Sequence, residues 1–135
     1  MGNDVMHDVI HEVMTKTQAG EMTFPEVVQK MLGAGVESYY VDYAMGTESI
    51  YMTDGSTRSE AMTLPRRPVA AEFSAARLVE VIRGAQADTI RYPEFARRAV
   101  EAGVIGYWAY LTGKKVIYFG RKGEVHVEEF PRAKS

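Results

Sequence analysis

Apolar residues recur at helical spacing in four stretches of the chain. Val5, Met6, Val9, Ile10, Val13 and Met14 predict an amphipathic helix over about 4–18. Phe24, Val27, Val28, Met31 and Leu32 fall at i, i+3, i+4, i+7 and i+8 and predict a second. Phe73, Leu78, Val81 and Ile82 predict a third over about 74–86, with Ser74 as its N-cap. Tyr92, Phe95, Ala96, Ala99 and Val100 repeat the spacing of the second helix. Thr23 and Glu26 have the spacing of a capping box, whereas the corresponding cap position in the fourth helix is Arg91. Pro25 and Pro93 sit in the first turn, where a missing N–H costs nothing. Gly35 and Gly103 are natural stops, because glycine enters the left-handed region without a Cβ clash.

After each glycine the period changes from 3.6 to 2 and Tyr, Val and Trp become frequent. Strands are therefore predicted over about 36–44 and 104–111, returning over 48–53 and 115–120. Residues 124–130 read as a third strand of the second half, and the weaker counterpart lies near 59–64. Phe24–Tyr43 and Tyr92–Leu111 are separated by 68 residues, and at that offset Glu12/Glu80, Gln18/Gln86, Pro25/Pro93, Gly35/Gly103, Val36/Val104 and Tyr39/Tyr107 are identical pairs. The Ile-Tyr pairs at 50–51 and 117–118 align once one residue is deleted from the turn. The expected fold is α+β, an internal duplication of an α-α-β-β-β unit. Its antiparallel sheet would carry helices on one face, with a pseudo-two-fold axis. One domain over 1–135 is expected, made of two repeats, about 4–64 and 73–130, joined by a Pro/Arg linker at 65–72.

Composition narrows the function classes. An apolar fraction of 46% with 25% charged residues is that of an ordinary soluble protein. Cys is absent, which excludes disulfides, thiolate metal sites and a Cys nucleophile. The longest apolar run, 104–111, is too short to span a bilayer, and the acidic N-terminal stretch is unlike a signal peptide. A cytoplasmic protein with no membrane association is expected. Net charge is −2, split as −5 over residues 1–68 and +3 over 69–135. Such asymmetry favours head-to-tail association or a basic patch, but drift of surface charge between two repeats explains it equally simply.

Strand parity sorts the sheet into two faces. Tyr39, Val41, Tyr43, Ile50, Met52, Tyr107, Ala109, Leu111, Ile117 and Phe119 are expected on the core face. Tyr40, Asp42, Tyr51, Trp108, Tyr110 and Tyr118 are expected on the other. This second set is the candidate ligand- or partner-binding platform, since Tyr and Trp combine contact area with polar handles. Aromatic residues also favour strands for packing reasons alone. Asp42, set among tyrosines, would act as an acid or base if buried, though its counterpart is Tyr110 and no second carboxylate or His is fixed beside it.

Other motifs carry less. His7 and His11 have the spacing of a helical zinc pair, but Asp8 stands where a catalytic Glu would, and His126 is the only other His. Arg97-Arg98, Lys114-Lys115 and Arg121-Lys122 suggest a basic strip beside Trp108, of the kind a nucleic-acid binder uses, against an overall pI below neutral. No phosphate-binding glycine loop and no Ser/His/Asp set is present. The sequence therefore assigns no catalytic residue, no metal ligand and no cofactor.

The stretches FPE…GAGV.SYYVDY and YWAYLTGKK.IYFG resemble the YdfO/YbcV-like family. These are small prophage-associated bacterial proteins of unknown function, sometimes labelled phage envelope proteins. The resemblance spans nearly the whole chain and rests on structural motifs. It implies an α+β fold and a bacterial or phage-derived context, and brings no activity, cofactor or site residue. Taken together, the expected protein is a non-enzymatic module that binds a protein or small-molecule partner through the aromatic sheet face. A homodimer through that face is one version, and nucleic acid is disfavoured. The alternative is a small enzyme or ligand-binding protein with a pocket near Asp42 and the tyrosines.

Overall fold

The structure is a computed structural model describing residues 8–131. Helices α1 (Val9–Gln18) and α2 (Phe24–Gly33) precede strands β1 (Val36–Asp42), β2 (Thr47–Met52) and β3 (Thr57–Ala61). Helices α3 (Ala75–Gln86) and α4 (Tyr92–Glu101) then precede β4 (Val104–Tyr110), β5 (Lys115–Gly120) and β6 (Val125–Glu129). The six strands form one antiparallel sheet in the order β3-β2-β1-β4-β5-β6. The fold is α+β, and its helix–helix–strand triplets repeat as a duplication would have them.

Local chemistry sets the helix ends. Thr23 and Glu26 close the expected capping box, each accepting from the other's backbone N–H. Ser74 caps α3 by accepting from Arg77 N–H. Arg91 makes no such bond at the start of α4; its guanidinium turns instead to Asp88 and to the Gly20 carbonyl. Asp8 caps α1 by accepting from His11 N–H, so the described helix begins at Val9. The expected earlier turn, with Val5, Met6 and His7, lies outside the described residues. Gly35 and Gly103 stop α2 and α4 with φ of 90° and 92°.

The repeat is stricter than the sequence suggested. Tyr39 pairs with Ile50 across β1–β2, and Tyr107 pairs with Tyr118 across β4–β5, so Ile50 corresponds to Tyr118 at the unbroken 68-residue offset. β2 and β3 map onto β5 and β6 at the same offset, and both first strands carry a register shift at the same place. No residue is deleted in the turn. The apparent gap came from aligning the Ile-Tyr pairs at 50–51 and 117–118; at the unbroken offset Lys114 takes Gly46's left-handed place, with φ of 60° against 72°. This corrects the parity of β5. Val116 and Tyr118 face the helices and are buried, whereas Ile117 and Phe119 are half-buried on the opposite face. The weakly predicted third strand of the first half also shifts, from about 59–64 to Thr57–Ala61.

Buried side chains of β1, β2, β4 and β5 meet the apolar stripes of the helices in one core that includes Val13, Met31, Ile50, Leu78, Ala99 and Leu111. At the centre of the sheet Tyr40 pairs with Trp108, its own equivalent in the repeat. The pseudo-two-fold axis therefore passes between these two residues.

Candidate functional site

The two faces of the sheet offer two different surfaces. On the face without helices, rings from both units touch in a strip. Tyr40 and Tyr51 lie 5.2 and 5.1 Å from Trp108 between centroids, and Tyr110 stacks on Trp108 at 5.6 Å. Phe119 extends the strip beside Tyr40, and the exposed Val125 and Val127 continue on β6. Of the six residues expected there, the structure brings together Tyr40, Tyr51, Trp108 and Tyr110. Tyr118 is on the helix side, for the register reason above. Asp42 lies at the end of β1, half-buried, where its Oδ1 accepts from Met45 N–H at 2.9 Å and closes the β1–β2 turn. That is the ordinary local use of an Asp at a turn. The pocket expected around Asp42 is therefore not where the tyrosines converge.

They converge on the other side of the sheet, around the pseudo-two-fold axis. There a cavity of about 190 Å³ lies between the sheet and the helices. Met14 and Met31 contribute from α1 and α2, Ile82 from α3, Tyr92 and Phe95 from α4. The sheet supplies Tyr39, Tyr107, Val116, Tyr118 and Glu48. Phe130, following β6, closes against Phe24 edge to face at 5.3 Å. Many of these come in repeat-related pairs: Tyr39 with Tyr107, Phe24 with Tyr92, Met14 with Ile82.

Glu48 breaks the pairing. Its equivalent is Val116. Only 6% of Glu48 is exposed, and its carboxyl makes no hydrogen bond or ion pair with any described residue. No fully buried side-chain polar atom among the described residues lacks a partner, so the Glu48 oxygens keep access to the cavity. Burial, with the Glu60 carboxylate across the strand pair, pushes the Glu48 carboxyl up to about 8. Burial therefore favours the protonated form of Glu48. Glu60 is in a different situation on the next strand. Partial burial raises it, but His11 and Arg58 outweigh that and hold it below the usual carboxylate range. Arg58 also reaches Asp8 at 2.9 Å.

Beside Glu48 runs a chain of hydroxyls. Tyr43 and Tyr92 are 3.0 Å apart, and Tyr92 and Tyr107 are 2.9 Å apart. Three hydroxyls carry three hydrogens and two bonds use two, so one O–H remains to donate elsewhere. Burial is the main reason all of these phenols, and Tyr39, are raised above their ordinary value. The arrangement offers a largely apolar cavity, open on one side, with phenolic hydroxyls, the Glu48 carboxyl within and the carboxyls of Asp88, Glu128 and Glu129 also in its lining. Such a balance suits recognition of a small molecule.

Glu48 was missed because the predicted strand begins on it. Its position was still readable: Ile50 and Met52 were assigned to the buried face, and the same parity reaches Glu48 one step earlier.

The other motifs separate. Arg97 and Arg98 lie on α4 and pair with Glu94 and Glu101, in the helix layer and away from Trp108. Lys122 reaches Glu72, and Arg121 donates to the Val69 carbonyl. Of the three basic pairs only Lys114-Lys115 reaches the aromatic face, with Lys115 directly across from Tyr110, so among the described residues the three pairs do not form one strip. His7 lies outside the described residues, and His11 contacts Glu60 at 2.8 Å. Among the described residues no group of three His, Cys, Asp or Glu could hold a metal ion. No helix among them is long and apolar enough to cross a membrane.

Fold and cavity define a class: a two-unit α+β protein whose single antiparallel sheet carries four helices on one face and an internal cavity beneath them. The chain belongs to the family described as "Protein of unknown function (DUF1398)", which matches residues 12–129. No curated protein matches it.

Proposed function

We propose that this protein is a non-enzymatic binding module that takes a small, largely apolar molecule into the cavity between sheet and helices. One observation carries the reading: Glu48 is only 6% exposed, has no hydrogen-bond or ion-pair partner among the described residues, and lines the cavity. The repeat-related Val116 indicates that the fold itself does not require a carboxyl at that lattice position. About 150 Å³ suffices for a benzene-sized guest in an engineered apolar cavity. The volume here is of that order. The resemblance to YdfO/YbcV-like proteins supports a cytoplasmic, prophage-type setting for such a module.

The test is an amide NMR titration with benzyl alcohol. Saturable shifts centred on Val13, Met31, Tyr107 and Val116 are expected, and Ala85→Leu, which fills part of the lining, should abolish them. Absence of any saturable shift would sink the cavity reading.

The contiguous rings of Tyr40, Tyr51, Trp108 and Tyr110 on the helix-free face favour a second reading, in which that strip is an interaction surface and a second copy is one occupant. Sedimentation velocity on the wild type and on Trp108→Ala decides it for the dimer. Self-association lost in the variant is expected; a wild type that stays monomeric at high concentration removes that version.

A further inference from the structure

We propose that the cavity is built for an amine: a small apolar or aromatic group carrying an ammonium, with Glu48 as its counter-ion and the surrounding tyrosines as its aromatic wall. The inference rests on the cavity reading above and names the ligand class for it.

Charge around the cavity points to a cation. Glu48, Asp88, Glu128 and Glu129 line the cavity and its mouth, against the one cation Arg91. Arg91 is held by Asp88 and the Gly20 carbonyl, so it is not free to receive an anion. Asp88 has Arg91 and Glu128 has Arg83 as partners. Glu48 has none among the described residues. Across the strand pair it meets Glu60, and like charges directly opposite are unfavourable. Glu60 has Arg58 and His11 as neighbours, whereas no described cation pairs with Glu48.

The walls fit the same guest. Tyr92 and Phe95 stack at 5.8 Å, Tyr107 lies 5.4 Å from Tyr118, and Tyr39 lies 6.4 Å from Tyr107. Ring faces in a desolvated site attract a cation. A carboxylate guest would meet four carboxyls and a single Arg already held by Asp88 and the Gly20 carbonyl. A neutral alcohol would gain a hydrogen bond but would leave the ring faces and the anionic mouth unused.

Proton balance follows from the chemistry. Burial and Glu60 favour the protonated form of Glu48. When an alkylammonium enters, the Glu48 proton leaves to solvent and the carboxylate pairs with the ammonium, so one proton is released per ligand bound. The groups facing Glu48 are Glu60 from β3, Tyr39 from β1, Tyr43 from the turn after it, Tyr92 from α4 and Tyr107 from β4. Arg58 and His11 act on Glu60 rather than on Glu48.

The experiment is isothermal titration with benzylamine, benzyl alcohol and benzoate on the whole protein, at pH 6 and pH 8.5 and in two buffers of different ionisation enthalpy. At pH 8.5 benzylamine should bind at least tenfold more tightly than benzyl alcohol, and benzoate should not bind. Between pH 8 and pH 6 benzylamine affinity should weaken about tenfold per pH unit, with close to one proton released at pH 6. Glu48→Gln should weaken benzylamine at pH 8.5 at least tenfold while benzyl alcohol stays within about twofold. Glu48→Val, which copies the second unit, gives the same result if Gln alters the pocket. Benzyl alcohol binding as tightly as benzylamine, or benzylamine unaffected by Glu48→Gln, overturns the amine and leaves the cavity reading standing. If none of the three probes binds, both readings fail.

Discussion

Two halves of one sheet, related by a constant offset, differ by a carboxylic acid at one buried position. In the first half β2 places Glu48 against the helices; in the second, β5 places Val116 there. Some neighbours match, Tyr39 with Tyr107 and Glu60 with Glu128, the last two each beside an Arg and a His, while others exchange one apolar or aromatic side chain for another, as Ile50 for Tyr118 and Val41 for Ala109. The comparison works as an internal control. A fold that closes over Val116 does not need an acid in its partner's place, so the carboxyl at 48 is unexplained by folding alone.

Erasing the difference tests this most strongly. Val116→Glu gives the second half a buried acid opposite Glu128 and should cost roughly 4 kcal/mol of stability at pH 7. The reverse change, Glu48→Val, should stabilise by about 3 kcal/mol at pH 7, read by urea denaturation.

That gain must depend on pH in a set direction. The Glu48 carboxyl lies near 8 when folded, against an ordinary 4.5, so folding binds its proton more tightly. Stability is unaffected by this group below about pH 4.5 and is lost as pH rises towards 8. Glu48→Val should therefore match the wild type electrostatically at pH 4 and exceed it most at pH 8. A stability difference that does not grow with pH contradicts the buried acid.

The two glycine stops sharpen the comparison next. Both have left-handed φ, but a Cβ on Gly35 meets only the ends of Met52 and Thr53, whereas one on Gly103 runs into the backbone of Glu72 and Phe73. Gly35→Ala should cost about 1–2 kcal/mol from φ alone. Gly103→Ala should exceed it by at least about 1 kcal/mol, because the linker must move as well. Equal losses in thermal unfolding would show that the linker does not lean on α4's end.

Much of this architecture was already visible in the sequence, because its determinants are local. A capping box needs two residues three apart, and Thr23 and Glu26 supply it. A helix stop needs one glycine, and Gly35 and Gly103 supply that. Strand parity beyond a turn is different, since a one-residue slip inverts every side chain. The Ile-Tyr pairs at 50–51 and 117–118 invited a one-residue gap, and Lys114 gave no glycine signal at the left-handed position matching Gly46, so Tyr118 was placed on the wrong face. The smallest expected effect lies here: Lys114→Gly should be neutral to about 1 kcal/mol stabilising in the same unfolding assay. The site was harder to read than the fold. Asp42 looked chemical because tyrosines flank it, yet it serves the turn, and the acid that the tyrosines approach comes from the next strand.

The most direct test of the account is a ¹³C NMR titration of the Glu48 side-chain carboxyl in the ligand-free protein. A midpoint near pH 8 is predicted. A midpoint near 4.5 would mean that the carboxyl is solvated or paired, and would remove the mismatch on which the functional reading stands.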